Sequence, residues 1–187
     1  MNQVASANSD HHLGEHKQGC RGLKNGVQTI NIRIVAVGKV KEHFFQRGIE
    51  HYLIRLKPYS SIEIVELLEA KGGEKDSASE IRALDDEAKE IERYLRNDAY
   101  SIILTPEGKK MGSEELAFSL ERLMVEGKSK IDIIIGGPLG LSKTIKKRGD
   151  LCLSLSDLTF PHRMVRLILL EQLYRCFKIM RGEPYHK

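Results

Sequence analysis

The chain predicts a single α/β domain built on a mainly parallel sheet with helices on both sides. Three observations carry that prediction. Five short apolar runs of strand type alternate with stretches of helical periodicity, as in β-α units that return each strand in the same direction. At 187 residues the chain is long enough for one self-sufficient core. Its 41% hydrophobic and 30% charged residues match an ordinary globular balance.

The elements follow in order from about Ile30. Ile32–Val37 (IRIVAV) reads as a buried strand stopped by Gly38. Residues 41–56 place Phe44, Phe45, Ile49, Tyr52, Leu53 and Leu56 at helical spacing, and Pro58 ends the run. Ile62, Ile64 and Leu67 fit a second strand, and Lys71–Ser77 is a polar loop with two glycines. Residues 78–96 return to a period of about 3.6 through Ile81, Leu84, Ala88, Ile91 and Leu95. Ser101–Thr105 (SIILT) is a third strand, followed by a Pro-Glu-Gly turn, and Ser113 is a candidate cap for the next helix. Ile131–Ile135 (IDIII) is the fourth strand. Ser142 begins a short basic helix to Arg148, and Leu151–Leu155 (LCLSL) is the fifth strand. After Ser156–Pro161 a long helix runs to about Met180, with Pro161 in its first turn. That helix is apolar nearly all round, so two of its faces need cover: one by the sheet, the other by a second subunit.

Residues 1–29 stand apart. They mix Asn, Ser, Gly, His and Lys without apolar periodicity, which reads as a disordered extension before a folded domain of residues 30–187. The extension lacks the apolar stretch of a signal peptide. His11, His12 and His16 have spacings compatible with a metal, but a floppy histidine-rich tail is the better explanation. No apolar run reaches the roughly 18 residues of a membrane span. The cysteines, Cys20, Cys152 and Cys176, form no CxxC pair. Cys152 and Cys176 sit in apolar stretches as small hydrophobes, as expected for a cytoplasmic protein.

The net charge of +4 is unevenly placed. From Lys143 onward ten Lys/Arg face four Asp/Glu, whereas the first 142 residues hold twenty basic and twenty-two acidic ones. A basic C-terminal part suits a polyanionic partner such as RNA. Arg163, Arg166, Arg175, Lys178 and Arg181 are candidates to meet phosphate, while Glu171 and Arg175 also stand at i,i+4 for a local ion pair.

Ligands of open α/β sheets bind beyond the carboxyl ends of the strands. Three such ends are unusual here: Leu104–Gly108, Gly136–Gly140 (GGPLG) and Leu155–Pro161 (LSDLTFP). Glycines allow close approach of backbone to a ligand, and Leu155, Leu158 and Phe160 are suited to sandwich a purine. The dinucleotide fingerprint GxGxxG and the phosphate loop GxxxxGK[ST] are both missing. The chain closes on Gly182-Glu183-Pro184-Tyr185-His186-Lys187, in which Tyr185 can stack on a base and His186 can exchange a proton.

The strings VAVGK, IGGPLGLS and LSLSDLTFPHRMVRLILLEQLYRCFKIMRGEPYHK resemble the bacterial ribosomal large-subunit methyltransferase H family of the SPOUT superfamily. The resemblance covers about residues 31–187. It implies a C-terminal deep trefoil knot and a homodimer through the long C-terminal helices. It implies S-adenosyl-L-methionine bound by Leu104, Gly137, Leu155, Ser156, Asp157, Leu158, Thr159 and Phe160, with no metal. The implied reaction methylates N3 of a pseudouridine in 23S rRNA within assembled ribosomes. His186 and Tyr185 are then candidates for the proton acceptor, and Arg175 for stabilising charge on the uracil carbonyls. Two other readings compete: a non-catalytic ribosome-binding factor of the same fold, and a SPOUT enzyme for another RNA.

Overall fold

The computed structural model describes residues 29–70 and 77–185. The extension expected at 1–29, with Cys20 and its histidines, lies outside the described residues apart from its last position, as does His186. Among the described residues ten elements alternate: β1 (Ile30–Val37), α1 (His43–Leu56), β2 (Ser60–Leu67), α2 (Ser77–Tyr94), β3 (Tyr100–Lys110), α3 (Ser113–Val125), β4 (Lys130–Ile135), α4 (Lys143–Arg148), β5 (Leu151–Ser154) and α5 (His162–Met180). The strands form one sheet in the order β2-β1-β4-β3-β5, and every pairing is parallel.

Strand alternation divides the core between two faces. Ile30, Ile32, Ile34 and Ala36 of β1, with Ile131, Ile133 and Ile135 of β4, point to the layer of α1, α3 and α5. Val35, Val37, Ile134 and Ile103 point to the opposite layer, where Ala88 and Ile91 of α2 and Ile145 of α4 cover them. Asp132 interrupts the apolar run of β4 and is wholly buried. Arg96 answers its charge, donating from Nε to Oδ1 at 2.8 Å and from its backbone N–H to Oδ2 at 2.7 Å.

The long helix α5 packs against both α1 and α3. Gly182 ends it in left-handed geometry (φ +63°), which lets the Glu183 N–H reach back to the Lys178 carbonyl at 2.9 Å. The chain then folds the Tyr185 ring against the core.

Three local expectations need correction. Pro106-Glu107-Gly108 does not turn the chain; β3 runs on to Lys110 through a register irregularity in which Leu153 faces both Leu104 and Lys109. Gly108 is needed there, because a Cβ would lie 2.6 Å from the Leu153 backbone. Ser113 does not cap α3: Gly112 takes the N-cap position, and the Ser113 hydroxyl donates to Gln172 at 2.8 Å, tying α3 to α5. Pro161 is the N-cap of α5, one step outside the first turn, with its carbonyl accepting from Met164 and Val165. The Ser142 cap of α4 is present, its hydroxyl accepting from the Ile145 N–H at 3.3 Å.

Candidate functional site

Because β4, β3 and β5 are adjacent and parallel, their carboxyl ends open at the same edge of the sheet. The loops leaving them enclose a cavity of about 580 Å³. Of the eight residues expected to hold a ligand, Leu104, Gly137, Leu155, Ser156, Leu158, Thr159 and Phe160 line it. Asp157 does not. It is exposed and forms an ion pair with Lys110, so its side chain points away from the space its neighbours enclose.

The walls are held by short-range bonds. The Gly140 N–H donates to the Gly137 carbonyl at 3.0 Å, closing a turn in which Gly140 has a φ of +82°. A Cβ on Gly136 would sit 2.4 Å from the Gly140 oxygen, so that turn closes only over a glycine. In the third loop, the Ser154 hydroxyl donates to the Ser156 carbonyl and the Leu158 N–H donates to the Ser156 hydroxyl, both at 3.0 Å. Backbone groups and apolar side chains therefore form most of a preformed site.

Two charged features of the cavity were missed in the sequence. Glu107, on the irregular stretch of β3, accepts from the Thr105 hydroxyl and from Lys146 Nζ, the latter at 3.2 Å. The Thr105 hydroxyl, then backbone N–H and Lys146, hold its carboxyl below the usual range. The other is His162, the first residue of α5, whose Nε2 lies 3.3 Å from Glu69 Oε1. Burial pushes the imidazole pKa down, with Glu69 opposing that and Arg163 and Arg166 adding to it. His162 directly follows the Pro161 that ends the segment singled out in the sequence, and an ionisable residue at that position was the available signal.

The basic residues of α5 are not a free phosphate-binding row. Arg166 is fully buried and joins Glu66 and the carbonyls of Val37 and Gly38. Arg163 pairs with Glu42, and Lys178 with Glu183. Arg181 donates to the Pro58 carbonyl at 3.0 Å.

Arg175 and Tyr185 meet each other and do not line the cavity of their own chain. Both contact Glu171 Oε1, Arg175 at 2.7 Å and the donating Tyr185 hydroxyl at 2.9 Å, and the guanidinium stands 4.6 Å from the Tyr185 ring centre. The i,i+4 pair anticipated between Glu171 and Arg175 is thus formed. Burial, followed by the bond to Glu171, pushes the Tyr185 phenol pKa well up. Cys176 is buried with its thiol pushed up to about 12, as expected of an inert core cysteine, and Cys152 is half-buried.

The chain is similar to known proteins over its whole folded part. A family model described as "Predicted SPOUT methyltransferase" matches residues 30–186. The ribosomal RNA large subunit methyltransferase H of Halothermothrix orenii is 47% identical over 161 residues, covering 84% of this chain and all of that protein. A Bacillus cereus protein of the same name is 46% identical over 159 residues, again with 84% of this chain and all of the relative covered. Matched over its whole folded part by that family model and by full-length relatives, the chain belongs to the SPOUT methyltransferases and is an enzyme of that family.

Proposed function

We propose that this methyltransferase uses S-adenosyl-L-methionine to methylate N3 of a pseudouridine in 23S rRNA of the assembled ribosome, working in the cytoplasm as a homodimer joined through α5. One observation carries the donor assignment: three chain segments far apart in sequence enclose one cavity of about 580 Å³. Its chemistry fits the donor. Leu155, Leu158 and Phe160 offer apolar surface for an adenine, and loop backbone groups offer bonds to its edge. The Glu107 carboxylate is an acceptor suited to ribose hydroxyls. When bound, the donor supplies an electrophilic methyl group on sulfonium.

The chain's own task is alignment, since an in-line displacement needs donor carbon and acceptor nitrogen about 3 Å apart. In this reading Leu104, Gly137 and residues 155–160 hold the donor, Asp157 contributing through its backbone because its side chain faces out. Arg175, Tyr185 and His186 act on the RNA at the partner's cavity: the Tyr185 ring stacks on a base, and Arg175 balances charge developing on the uracil carbonyls. The half-buried Ile168 and Ile179 of α5 supply apolar surface for the dimer contact. The C-terminal part forms a trefoil knot around the cavity. Among the described residues no helix is long and apolar enough to cross a membrane.

The test is incubation of 70S particles with the protein and isotope-labelled donor, followed by mass spectrometry of nucleosides from 23S rRNA. Label in N3-methylpseudouridine is expected. Label in another nucleoside would favour an enzyme for a different RNA target, and ribosome binding without label would favour a non-catalytic factor.

A further inference from the structure

We propose that His162, oriented by Glu69, takes the proton from the target nitrogen during methyl transfer. This rests on the methyltransferase reading above, and it assigns the proton to a residue of the same chain that holds the donor.

The placement comes first. His162 lines the cavity on the side nearest the ends of β1 and β2. Its Nε2 is sealed from solvent and lies 3.3 Å from Glu69 Oε1, the nearest carboxylate oxygen it faces. With Nε2 turned to the carboxylate, Nδ1 is the nitrogen left to face a ligand. A histidine braced by a carboxylate on one nitrogen and open on the other is the arrangement a general base requires.

The surrounding charges are already committed. Arg163 is bound to Glu42 and Arg166 to Glu66. Glu69 is the carboxylate of this cluster without an arginine partner among the described residues. Glu87 of α2 lies close enough to Glu69 to repel it, buried and without an ion-pair partner among the described residues. The backbone also makes room: a Cβ at Gly38 would lie 2.4 Å from Glu69 Oε1 and 3.2 Å from His162 Nε2, and Gly38 holds a φ of +87°. The close approach of the two side chains depends on that glycine.

The chemistry requires such a group. A neutral imide nitrogen is a poor nucleophile, so its proton must leave as the new bond forms. The N3–methyl bond forms, the methyl–sulfur bond breaks with its electron pair returning to sulfur, and the N3 proton passes to Nδ1 of His162. The positive charge lost at sulfur is then carried by an imidazolium facing Glu69. Burial lowers the imidazole pKa, which favours the uncharged, proton-accepting form before the reaction. The Tyr185 hydroxyl is a poorer candidate, since it donates to Glu171 and its acidity is suppressed.

The experiment compares wild type, His162→Gln and Glu69→Gln by three measurements: calorimetric binding of S-adenosylmethionine, single-turnover methylation of 70S particles across pH, and NMR titration of His162 in donor-free protein. The expected His162→Gln protein binds the donor within about threefold of wild type and turns over about 100-fold more slowly. It also loses the ionisation that governs the wild-type rate profile. In Glu69→Gln the His162 titration moves to lower pH, and the rate profile moves with it. The proposal is overturned if His162→Gln keeps turnover or its pH inflection, or if donor binding collapses along with turnover. It is also overturned if the inflection disappears in His186→Ala instead, or if His162 titrates unchanged in Glu69→Gln. A wild-type protein that binds no donor contradicts the function reading, whereas the donor-free titration tests the His162–Glu69 coupling by itself.

Discussion

Arg166 and Glu66 are bound to each other across 100 residues of sequence, the arginine fully buried in α5 and the glutamate at the end of β2. The same guanidinium donates to the carbonyls of Val37 and Gly38, so one side chain ties α5 to the ends of β1 and β2 beside the cavity. Losing the arginine removes the donor from two carbonyls and the cation from a partly exposed carboxylate, at a cost of about 2 kcal/mol. Arg166→Met is expected to lose about that much stability in urea denaturation. Arg166→Lys should recover only part of it, because an ammonium cannot span the carboxylate and both carbonyls.

The Gly136–Gly140 turn depends on a missing side chain. With a Cβ 2.4 Å from the Gly140 oxygen, Gly136→Ala has to open the turn that forms one wall of the cavity. A weakening of S-adenosylmethionine binding by at least about tenfold is expected by calorimetry, the scale of about 1.4 kcal/mol. Unchanged affinity would remove this turn from the donor site.

Glu87 carries a pH signature. Burial raises its carboxyl pKa, against the Ala70 N–H, which lowers it, and Glu69 adds to the rise. For an acid whose folded pKa lies above the unfolded one, the folded state binds more protons. The stability contributed is complete below the unfolded pKa, near 4.5, and is lost as pH rises through the folded value. Glu87→Gln, which cannot ionise, is therefore expected to be more stable than wild type at pH 8. The gap should close as pH falls toward 4.5, as followed by denaturant midpoints.

Tyr185 separates stacking from proton transfer. Tyr185→Phe removes the bond to Glu171 and should cost about 1 kcal/mol of stability. It keeps the ring, so methylation of 70S particles is expected to stay within about fivefold of wild type. Tyr185→Ala loses the stacking surface and should fall by at least about tenfold, since a base–aromatic stack contributes about 1–3 kcal/mol. Equal loss in both variants would assign the hydroxyl, not the ring, to the reaction.

Much of the fold was legible because its signals are local. The IRIVAV and IDIII runs, broken by glycine at Gly38 and Gly136, marked strands and strand ends directly. Seven of the eight anticipated donor contacts line the cavity for the same reason: parallel neighbours bring their carboxyl ends together. The failures involve partners distant in sequence. Ser113 binds Gln172 instead of capping its own helix. Arg166 read as surface charge because Glu66 and the β1 carbonyls could not be foreseen beside it. His162 and Glu69 are separated by 93 positions and meet only once β1, β2 and α5 are assembled.

The central claim, that the three strand-end loops form a pocket for S-adenosylmethionine, is tested most directly by titrating the donor into pure, folded protein in a calorimeter. Saturable binding, weakened in Gly136→Ala, is the result predicted. A folded protein that takes up neither the donor nor its demethylated product would contradict the account.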